Sequence, residues 1–414
     1  LSVQNFTSAT DSYNTAVGSF AGAAVTTGIK NTLIGGLAGD ALNTGSFNVA
    51  LGMQSLSADT KGAKNVAIGQ GALESQNFTS ATDSYNTAVG HVAGLNVTTG
   101  VENTLIGGLA GDAITDADYN VAVGKGALGT NQLGSRNTAV GTNSLHIANP
   151  ASAVNTYNTA FGYDAGYAVT TGTNNTFVGG LAGDGTDDGV GNTCVGKSAG
   201  SANLGDNNTL IGLEAGEVAT GADNTVMGRS AGITLTSGSN NLFLGHDSGR
   251  TGSPGGNITT GSNEIVLGDE NITEAHIQVD WTVASDARDK TDFTVLDLGL
   301  DFVKALAPVT YKWDKRSKYG DKSADDYDLA AQTPDGTHKE DWLDIGFKAQ
   351  EVEALEIAAG YDKDNKTNLV SSHTGDGKQM GLQYSKFVPI LVKAIQEQNA
   401  LIEALTTRIT TLEG

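Results

Sequence analysis

The chain has 414 residues, of which 56 are glycine, 5 are proline and one is cysteine, and its formal net charge is −22. So much glycine with so little proline excludes collagen and argues against a Pro/Gly-rich disordered linker, while a single cysteine excludes an intrachain disulfide framework and a Cys-cluster metal site. The acidic balance argues against nucleic acid or an anionic membrane as a partner, and no apolar run approaches the roughly 20 residues of a transmembrane helix.

The composition changes abruptly near residue 284. Residues 1–284 hold 47 of the 56 glycines but only 31 charged residues, whereas the last 130 residues hold 39 charged residues. We therefore predict a domain boundary at this point. The sequence starts Leu1-Ser2-Val3, without Met or a basic leader, so we expect a processed or partial chain.

The first part of the chain is a repeat array. The pattern Asn-x-x-x-Gly recurs fourteen times between Asn14 and Gly245, at intervals of 16, 17 or 21 residues. Three steps of 17 and one of 21 make a longer period of 72, and the ten residues Gln4–Tyr13 recur unchanged at Gln76–Tyr85. Such regularity is the signature of a repeat architecture.

Each repeat predicts a strand of four or five residues, a glycine turn and a polar stretch. Strands that return every 16–17 residues are too close for a crossover helix, so we predict an all-β parallel β-roll or β-solenoid over residues 1–268. The asparagines are suited to a stacked side-chain ladder, the glycines to positive-φ corners, and small residues to the inward positions. So small a coil buries little, and we expect additional stability from packing against other copies of the chain.

The unit Asn-Thr-Ala-Val-Gly-x-x-Ala-Gly resembles, over roughly residues 12–268, the coils in the head domains of trimeric autotransporter adhesins. This resemblance implies a left-handed parallel β-roll in which three chains lie side by side, and therefore a homotrimer. The present coils are longer than those of such heads, so the handedness of the roll stays open.

One motif inside the array matches the phosphate-binding loop pattern G-x-x-x-x-G-K-S, at Gly191–Ser198. A phosphate-binding loop needs a helix N-terminus directly after it, and here the motif coincides with the eleventh repeat. We interpret it as a repeat unit. Cys194 falls at a strand position and is predicted to be a small buried hydrophobe.

The sequence predicts no metal site and no cofactor. The six histidines are not at ligand spacing. Asp40, Asp112 and Asp184 share one position of the repeat and could ring a cation or a carbohydrate, although a solvated turn carboxylate is the commoner case. We expect no turnover enzyme in the repeat region.

After the last repeat-like unit comes a bridge, residues 269–284, and then a series of motifs. These are Ser-Asp-x-Arg-x-Lys at 285–290, Tyr-Lys-Trp at 311–313 and Gly-Phe-x-Ala-Gln-Glu-Val-Glu at 346–353. In this order, over residues 281–414, they resemble the endosialidase-type intramolecular chaperone of phage tail spikes and fibres, the self-cleaving S74 peptidase family. The resemblance implies an α+β chaperone domain over residues 285–414.

The same resemblance implies a single self-cleavage between Ala284 and Ser285 by a dyad of Ser285 and Lys290. A serine is a weak nucleophile unless a base takes its proton, and a lysine is such a base only when burial or a nearby cation depresses its pKa. Arg288 could supply that cation, or could simply pair with Asp286 or Asp289. From spacing alone, a turn at the serine and a solvated lysine would be the commoner interpretation.

The C-terminus carries a heptad seam, which predicts a coiled-coil helix over residues 387–413. Isoleucine at position a with leucine at position d nominally favours a dimer, whereas both resemblances imply a trimer, and we predict the trimer. The seam consists of Val388, Leu391, Ile395, Gln398, Ile402, Leu405, Ile409 and Leu412.

Together these patterns predict a trimeric tail fibre or spike of a virion. Residues 1–284 would be its shaft or adhesive head, with a glycan or surface protein of the host as receptor, and the chaperone would trimerise the chains and then cut itself off. One alternative is a bacterial surface adhesin with the same chaperone, which a downstream outer-membrane anchor would identify. The other is a glycan-degrading spike, which would need paired carboxylates in a cleft.

Overall fold

The computed structural model describes residues 3–279, 281–322, 324, 326–364, 367 and 369–414. The chain divides into two compact units, each of which is described by itself. The first comprises Leu1–Arg250 with Ile258–Asp269, and the second comprises Thr251–Asn257 with Glu270–Gly414.

The first unit is a parallel β-solenoid, as predicted. Each coil contributes one strand to a single 15-stranded sheet, and two further pairs, β4 with β6 and β10 with β12, are also parallel. The long-sheet strands have three residues each, shorter than the four or five expected, because each lies between an asparagine, or Glu264 in the last coil, and a glycine corner. The strands are β1 (Thr15–Val17), β2 (Thr32–Ile34), β3 (Val49–Leu51), β4 (Gly62–Ala63), β5 (Val66–Ile68), β6 (Thr82–Asp83), β7 (Thr87–Val89), β8 (Thr104–Ile106), β9 (Val121–Val123), β10 (Gly134–Ser135), β11 (Thr138–Val140), β12 (Val154–Asn155), β13 (Thr159–Phe161), β14 (Thr176–Val178), β15 (Thr193–Val195), β16 (Thr209–Ile211), β17 (Thr225–Met227), β18 (Leu242–Leu244) and β19 (Ile265–Leu267).

The predicted asparagine ladder is confirmed. Asn103, which is fully buried, donates from Nδ2 to the carbonyl oxygen of Ala117 at 2.9 Å, and its Oδ1 accepts from the backbone N–H of Asn120 at 3.0 Å. Both groups of the side chain therefore bond to the next coil. The Oδ1 bond recurs from coil to coil, and the Nδ2 bond to the next coil recurs at all ladder asparagines except Asn65, Asn120 and Asn137. The ladder therefore satisfies most of the polar groups that the small core would otherwise leave unpaired.

The ladder gives a direct test of how the coils are held together. Asn103→Ala removes both bonds and strands a buried N–H and a buried carbonyl, so we expect it to lower the free energy of unfolding by about 1–3 kcal/mol for each group. Denaturant unfolding of the full chain would measure the loss. The matched control is Asn96→Ala, because Asn96 is exposed and makes one bond to the next coil; an equal loss in both variants would contradict a special role of the ladder.

Close contact between neighbouring coils requires glycine at the end of each long-sheet strand. Gly107 has φ of +133°, and a Cβ placed on it would lie 2.6 Å from the carbonyl group of Gly124 in the next coil. No side chain fits at this spacing. The prediction that glycines supply positive-φ corners is thus confirmed for this corner.

Large residues share the interior of the solenoid with small ones, whereas the sequence led us to expect mainly small ones. In the coil of β8 the buried Leu105 faces Gly111, and a Cβ on that glycine would lie 2.7 Å from the leucine. In the next coil Ala122 stands at the leucine position and the buried Leu128 stands at the glycine position. In these two coils a large residue at one position is therefore paired with a small residue at the other.

The second unit is a small α+β region that ends in a long helix, as predicted. Strands β20 and β21 form one antiparallel pair, β22 and β23 form another, and the core comprises Leu298, Phe302, Val352, Val370, Phe387 and Ile390. The elements are α1 (Leu300–Ala305), β20 (Val309–Tyr311), β21 (Asp344–Gly346), α2 (Ala349–Ala358), β22 (Ser371–His373), β23 (Met380–Leu382) and α3 (Phe387–Glu413), with short 3-10 turns at Ala287–Asp289, Arg316–Lys318, Leu329–Ala331 and Tyr384–Lys386.

A buried carboxylate joins α2 to β22. Glu356 is 1% exposed and accepts hydrogen bonds from the backbone N–H groups of Leu369 at 2.7 Å, Val370 at 2.6 Å and Ser371 at 2.9 Å, with a further bond from the Ser371 hydroxyl. A buried charge is tolerated when it is bonded in this way. This residue therefore has a structural role that the sequence did not indicate.

Helix α3 has two apolar faces. Phe387, Ile390 and Ala394 are buried in the second unit. The heptad seam lies on the other face, and its apolar members are all at least 43% exposed in the single chain. The helix is observed as predicted, and its coiled-coil partners stay a prediction. In the part of the chain that the structure describes, no helix is long and apolar enough to span a membrane.

Candidate functional site

A tight turn lies where the predicted cleavage site falls. Residues Ala287–Asp289 form one turn of 3-10 helix, and the Asp286 carboxylate caps it by accepting from the backbone N–H of Arg288 at 2.9 Å. The backbone N–H of Lys290 closes the turn by donating to the carbonyl oxygen of Ala287. The chain thereby folds back between Ser285 and Lys290, and a separation of five residues in the sequence permits such a bend.

The turn brings together the two residues predicted as a dyad. Lys290 Nζ lies 2.6 Å from Ser285 Oγ and donates a hydrogen bond to it. A nucleophile and a base within hydrogen-bond distance are the geometric requirement for proton transfer between them. The commoner interpretation, a turn at the serine and a solvated lysine, also describes these residues, because Lys290 is exposed; the contact to Ser285 is what the structure adds to it.

Arg288 pairs with Asp286. The guanidinium Nη2 lies 2.6 Å from one carboxylate oxygen, and Nε lies 3.1 Å from both oxygens. These hydrogen bonds hold the pKa of the Asp286 carboxyl below its usual value and raise the pKa of Arg288. Of the two roles considered for this arginine, the ion pair is the one observed, and it fixes the cap of the turn.

The site is open to water in the single chain. Ser285 and Lys290 are both exposed. Four large apolar side chains nearby in the sequence are also 72% or more exposed, and they are Trp281, Val283, Phe293 and Val295. Apolar side chains this exposed are unusual so close together in a sequence, because large exposed apolar patches commonly mark interaction sites.

Cys194 and the phosphate-loop motif belong to the repeat array. Cys194 is a fully buried residue of β15, and burial raises the pKa of its thiol. Residues 197–200 form a turn where a phosphate-binding loop would begin its helix. The interpretation of Gly191–Ser198 as a repeat unit is therefore confirmed.

The three aspartates at one repeat position do not gather in a single chain. Asp40, Asp112 and Asp184 follow strands that are four coils apart, which corresponds to about 19 Å. Partial burial raises the pKa of each carboxyl. Among the residues described above, no group of three or more His, Cys, Asp or Glu side chains could hold a metal ion.

The outer face of the long sheet carries a feature that the sequence reasoning missed. The middle residue of a long-sheet strand points into the coil, and the third residue points outward and is apolar in all 15 strands. We name this row the outer ladder, and it is about 70 Å long. The signal was present as the apolar residue before each glycine of Asn-x-x-x-Gly. The ladder consists of Val17, Ile34, Leu51, Ile68, Val89, Ile106, Val123, Val140, Phe161, Val178, Val195, Ile211, Met227, Leu244 and Leu267.

Comparison with known proteins identifies one family. Residues 285–361 match the family model Peptidase_S74, described as the chaperone of endosialidase. The match begins at Ser285 and confirms the resemblance drawn from the C-terminal motifs. No curated protein matches the chain. A β-solenoid followed by this domain fits a tail fibre or spike with a chaperone, and the family supports a self-cleaving peptidase role in general.

Proposed function

We propose that the chain is a trimeric phage tail-fibre or tail-spike protein that attaches to a host-cell receptor. Its repeat region is the shaft or adhesive head, and its C-terminal domain trimerises the chains and then releases itself by cutting between Ala284 and Ser285. The observation that carries this proposal is the 2.6 Å contact between Lys290 Nζ and Ser285 Oγ, at the residue where the family match begins.

The cleavage can be written with the residues of the turn alone. Ser285 Oγ attacks the carbonyl carbon of Ala284 through a five-membered ring, and Lys290 takes the hydroxyl proton and gives it to the leaving backbone nitrogen. The product is an ester between Ala284 and the serine side chain. Water hydrolyses this ester to a carboxylate on Ala284 and restores the hydroxyl of Ser285, which is now the first residue of the released domain. Each chain reacts once.

Assembly is the step that would switch this chemistry on. A lysine accepts a proton only in its neutral form, and removal from water favours that form. The dyad and the neighbouring Trp281 and Phe293 are exposed in the single chain. Covering this apolar surface with other copies of the chain would remove the dyad from water, so cleavage would follow assembly.

Two separate surfaces support a homotrimer. The outer ladder presents apolar side chains along the whole first unit, and the heptad seam presents them along α3. The outer-ladder residues are half-buried or exposed and the apolar seam residues are exposed in the single chain, and both surfaces have the regular spacing that copies of one chain can match. The simplest assembly is one in which the same two partner chains cover both the outer ladder and the heptad seam.

The repeats explain why such a fibre needs a removable chaperone. Neighbouring chains could pair one coil out of register with nearly the same contacts, because equivalent residues recur in every coil. A unique C-terminal domain that assembles first suppresses this error. Its removal then leaves a product that cannot unfold by the reverse route, which is kinetic stability.

The proposal predicts two products from freshly expressed wild-type protein. Intact-mass spectrometry should find one fragment ending at Ala284 and one beginning at Ser285, and sedimentation should find three chains per particle before cleavage. Samples quenched in denaturant immediately after lysis provide the time-zero control. A persistent intact chain of 42.3 kDa in assembled particles would overturn the cleavage.

A further inference from the structure

Each coil enters its long-sheet strand through a left-handed corner. The corner residue lies two positions before the strand, and its φ is between +47° and +73° in all 15 coils. We name this row the corner column. In chain order it contains Tyr13, Lys30, Phe47, Lys64, Tyr85, Glu102, Tyr119, Arg136, Tyr157, Asn174, Gly191, Asn207, Asp223, Asn240 and Asn263.

The column has two parts that differ in residue type. In the first nine coils, an aromatic residue alternates with a charged one without exception, whereas the last six coils contain only Asn, Asp and Gly. Gly, Asn and Asp are the residues that a left-handed backbone favours, and Tyr, Phe, Lys and Arg are disfavoured there. The last six coils therefore follow the backbone preference. The first nine oppose it. Left-handed leucines elsewhere in the solenoid, such as Leu56 and Leu128, are buried in the core, whereas the aromatic side chains of the column are exposed, so core packing does not account for them.

The five aromatic rings form an ordered, accessible row. They are between 42% and 70% exposed, and they lie two coils apart, which corresponds to about 9.5 Å. The intervening cations hold them in place: Lys30 Nζ lies 5.1 Å from the ring centre of Phe47, and Lys64 Nζ lies 4.8 Å from that of Tyr85. Arg136 lies 4.6 Å from the ring centre of Tyr119.

This row differs from the expected interface between copies of the chain. The outer ladder is apolar in all 15 strands, as a contact along the whole solenoid requires. The aromatic rings stop at Tyr157, in the ninth coil, although the sheet continues for six more strands. A contact between identical solenoids would continue along all 15 strands, whereas a site for a separate ligand can occupy only part of the solenoid.

We propose that the corner column of the first nine coils binds an extended linear polysaccharide. The flat face of a sugar ring presents C–H groups that pack on an aromatic face, and its hydroxyl and carboxylate groups accept hydrogen bonds from lysine and arginine. The spacing of the rings is close to the length of an extended disaccharide. This spacing therefore favours a polymer with a disaccharide repeat. This inference rests on the proposed function and narrows the receptor to a glycan.

The composition of the first part of the chain agrees with this assignment. Residues 1–284 contain only eight Lys and Arg residues, and three of them, Lys30, Lys64 and Arg136, lie in the column. Lys64 is also held by Asp83 at 2.7 Å, which fixes its ammonium group beside Tyr85. The rare cations are thus concentrated where an acidic or hydroxyl-rich polymer would lie.

The test uses the full-length protein on an array of purified linear bacterial surface polysaccharides. Wild type should bind at least one polymer with a disaccharide repeat, and the double variant Tyr85→Asn, Tyr119→Asn should bind it at least tenfold more weakly. Asparagine is the residue that this corner holds in Asn174, so the backbone tolerates the change. The matched control is Tyr163→Asn, because Tyr163 is 58% exposed but lies outside the column; its binding should equal that of wild type.

Three results would overturn the polysaccharide site. The first is that wild type binds no polymer on the array, and the second is that the double variant binds as tightly as wild type. The third is that the double variant no longer assembles, because that result would assign the rings to contacts between chains. Mass spectrometry and sedimentation of the same samples separate this failure from failure of the proposed function. If wild type still assembles and cleaves, only the glycan site is lost.

Discussion

Ser285→Ala and Lys290→Ala are each expected to leave the chain uncut, as a single full-length band on a denaturing gel. The first variant removes the attacking oxygen and the second removes the only base shown within 2.6 Å of it among the described residues. Loss of a nucleophile or of its base lowers the rate of such reactions by about 10⁴-fold or more. Over the hours of an expression experiment, that reduction amounts to complete loss of cleavage.

The control for this experiment must show that the variants still fold and assemble. Lys304→Ala removes another exposed lysine of the same unit, one that pairs with a nearby aspartate, and should cleave like wild type. Sedimentation should find assembled particles for all three variants. Cleavage that persists in Ser285→Ala or in Lys290→Ala would refute the dyad, even if the fibre assignment stands.

Substituting the heptad seam is expected to abolish both assembly and cleavage. Burial of an Ile or Leu side chain stabilises a contact by about 1.5–3 kcal/mol, and a trimer buries each seam position three times. The double variant Ile402→Asn, Leu405→Asn should therefore sediment as the 42.3 kDa single chain. It should also remain uncut, because the exposed dyad would stay in water.

The matched control places asparagine on the same helix but outside the seam. Glu403→Asn with Thr407→Asn changes two exposed positions of α3 and should leave the particle assembled and cleaved. If the seam variant still assembles, the outer ladder is sufficient to hold the chains together without the seam of α3. A wild-type particle of two chains would instead support the dimer that the residues at a and d nominally favour.

The periodic features of the fold could be predicted because each repeats a local rule. Asn103 and its equivalents indicated a ladder, and the intervals of 16–17 residues indicated coils that each add one parallel strand. The spacing of the seam indicated helix α3. In each case the residues that determine the structure lie within one repeat, so the structure can be predicted from the sequence pattern alone.

The remaining features depend on contacts that a local pattern does not contain. The bonds to Glu356 come from residues 13–15 positions away, across a loop. The left-handed corners at Tyr85 and Lys64 oppose the preference of those residues, so reasoning that assigned positive φ to glycine could not find them. At the candidate site, spacing permitted contact between Ser285 and Lys290, and the cap by Asp286 is what folds the chain into that contact.

The period of 72 residues sets the step by which the solenoid could change length without a change in its pattern. One such block contains four coils and adds about 19 Å to the stack. Four is an even number, so duplication or deletion of a block within the first nine coils keeps the alternation of aromatic and charged residues in the corner column. The unchanged recurrence of Gln4–Tyr13 at Gln76–Tyr85 shows that two successive blocks begin with the same ten residues. Insertion or deletion of one block could therefore change the length of the solenoid while the outer ladder and the corner column keep their patterns.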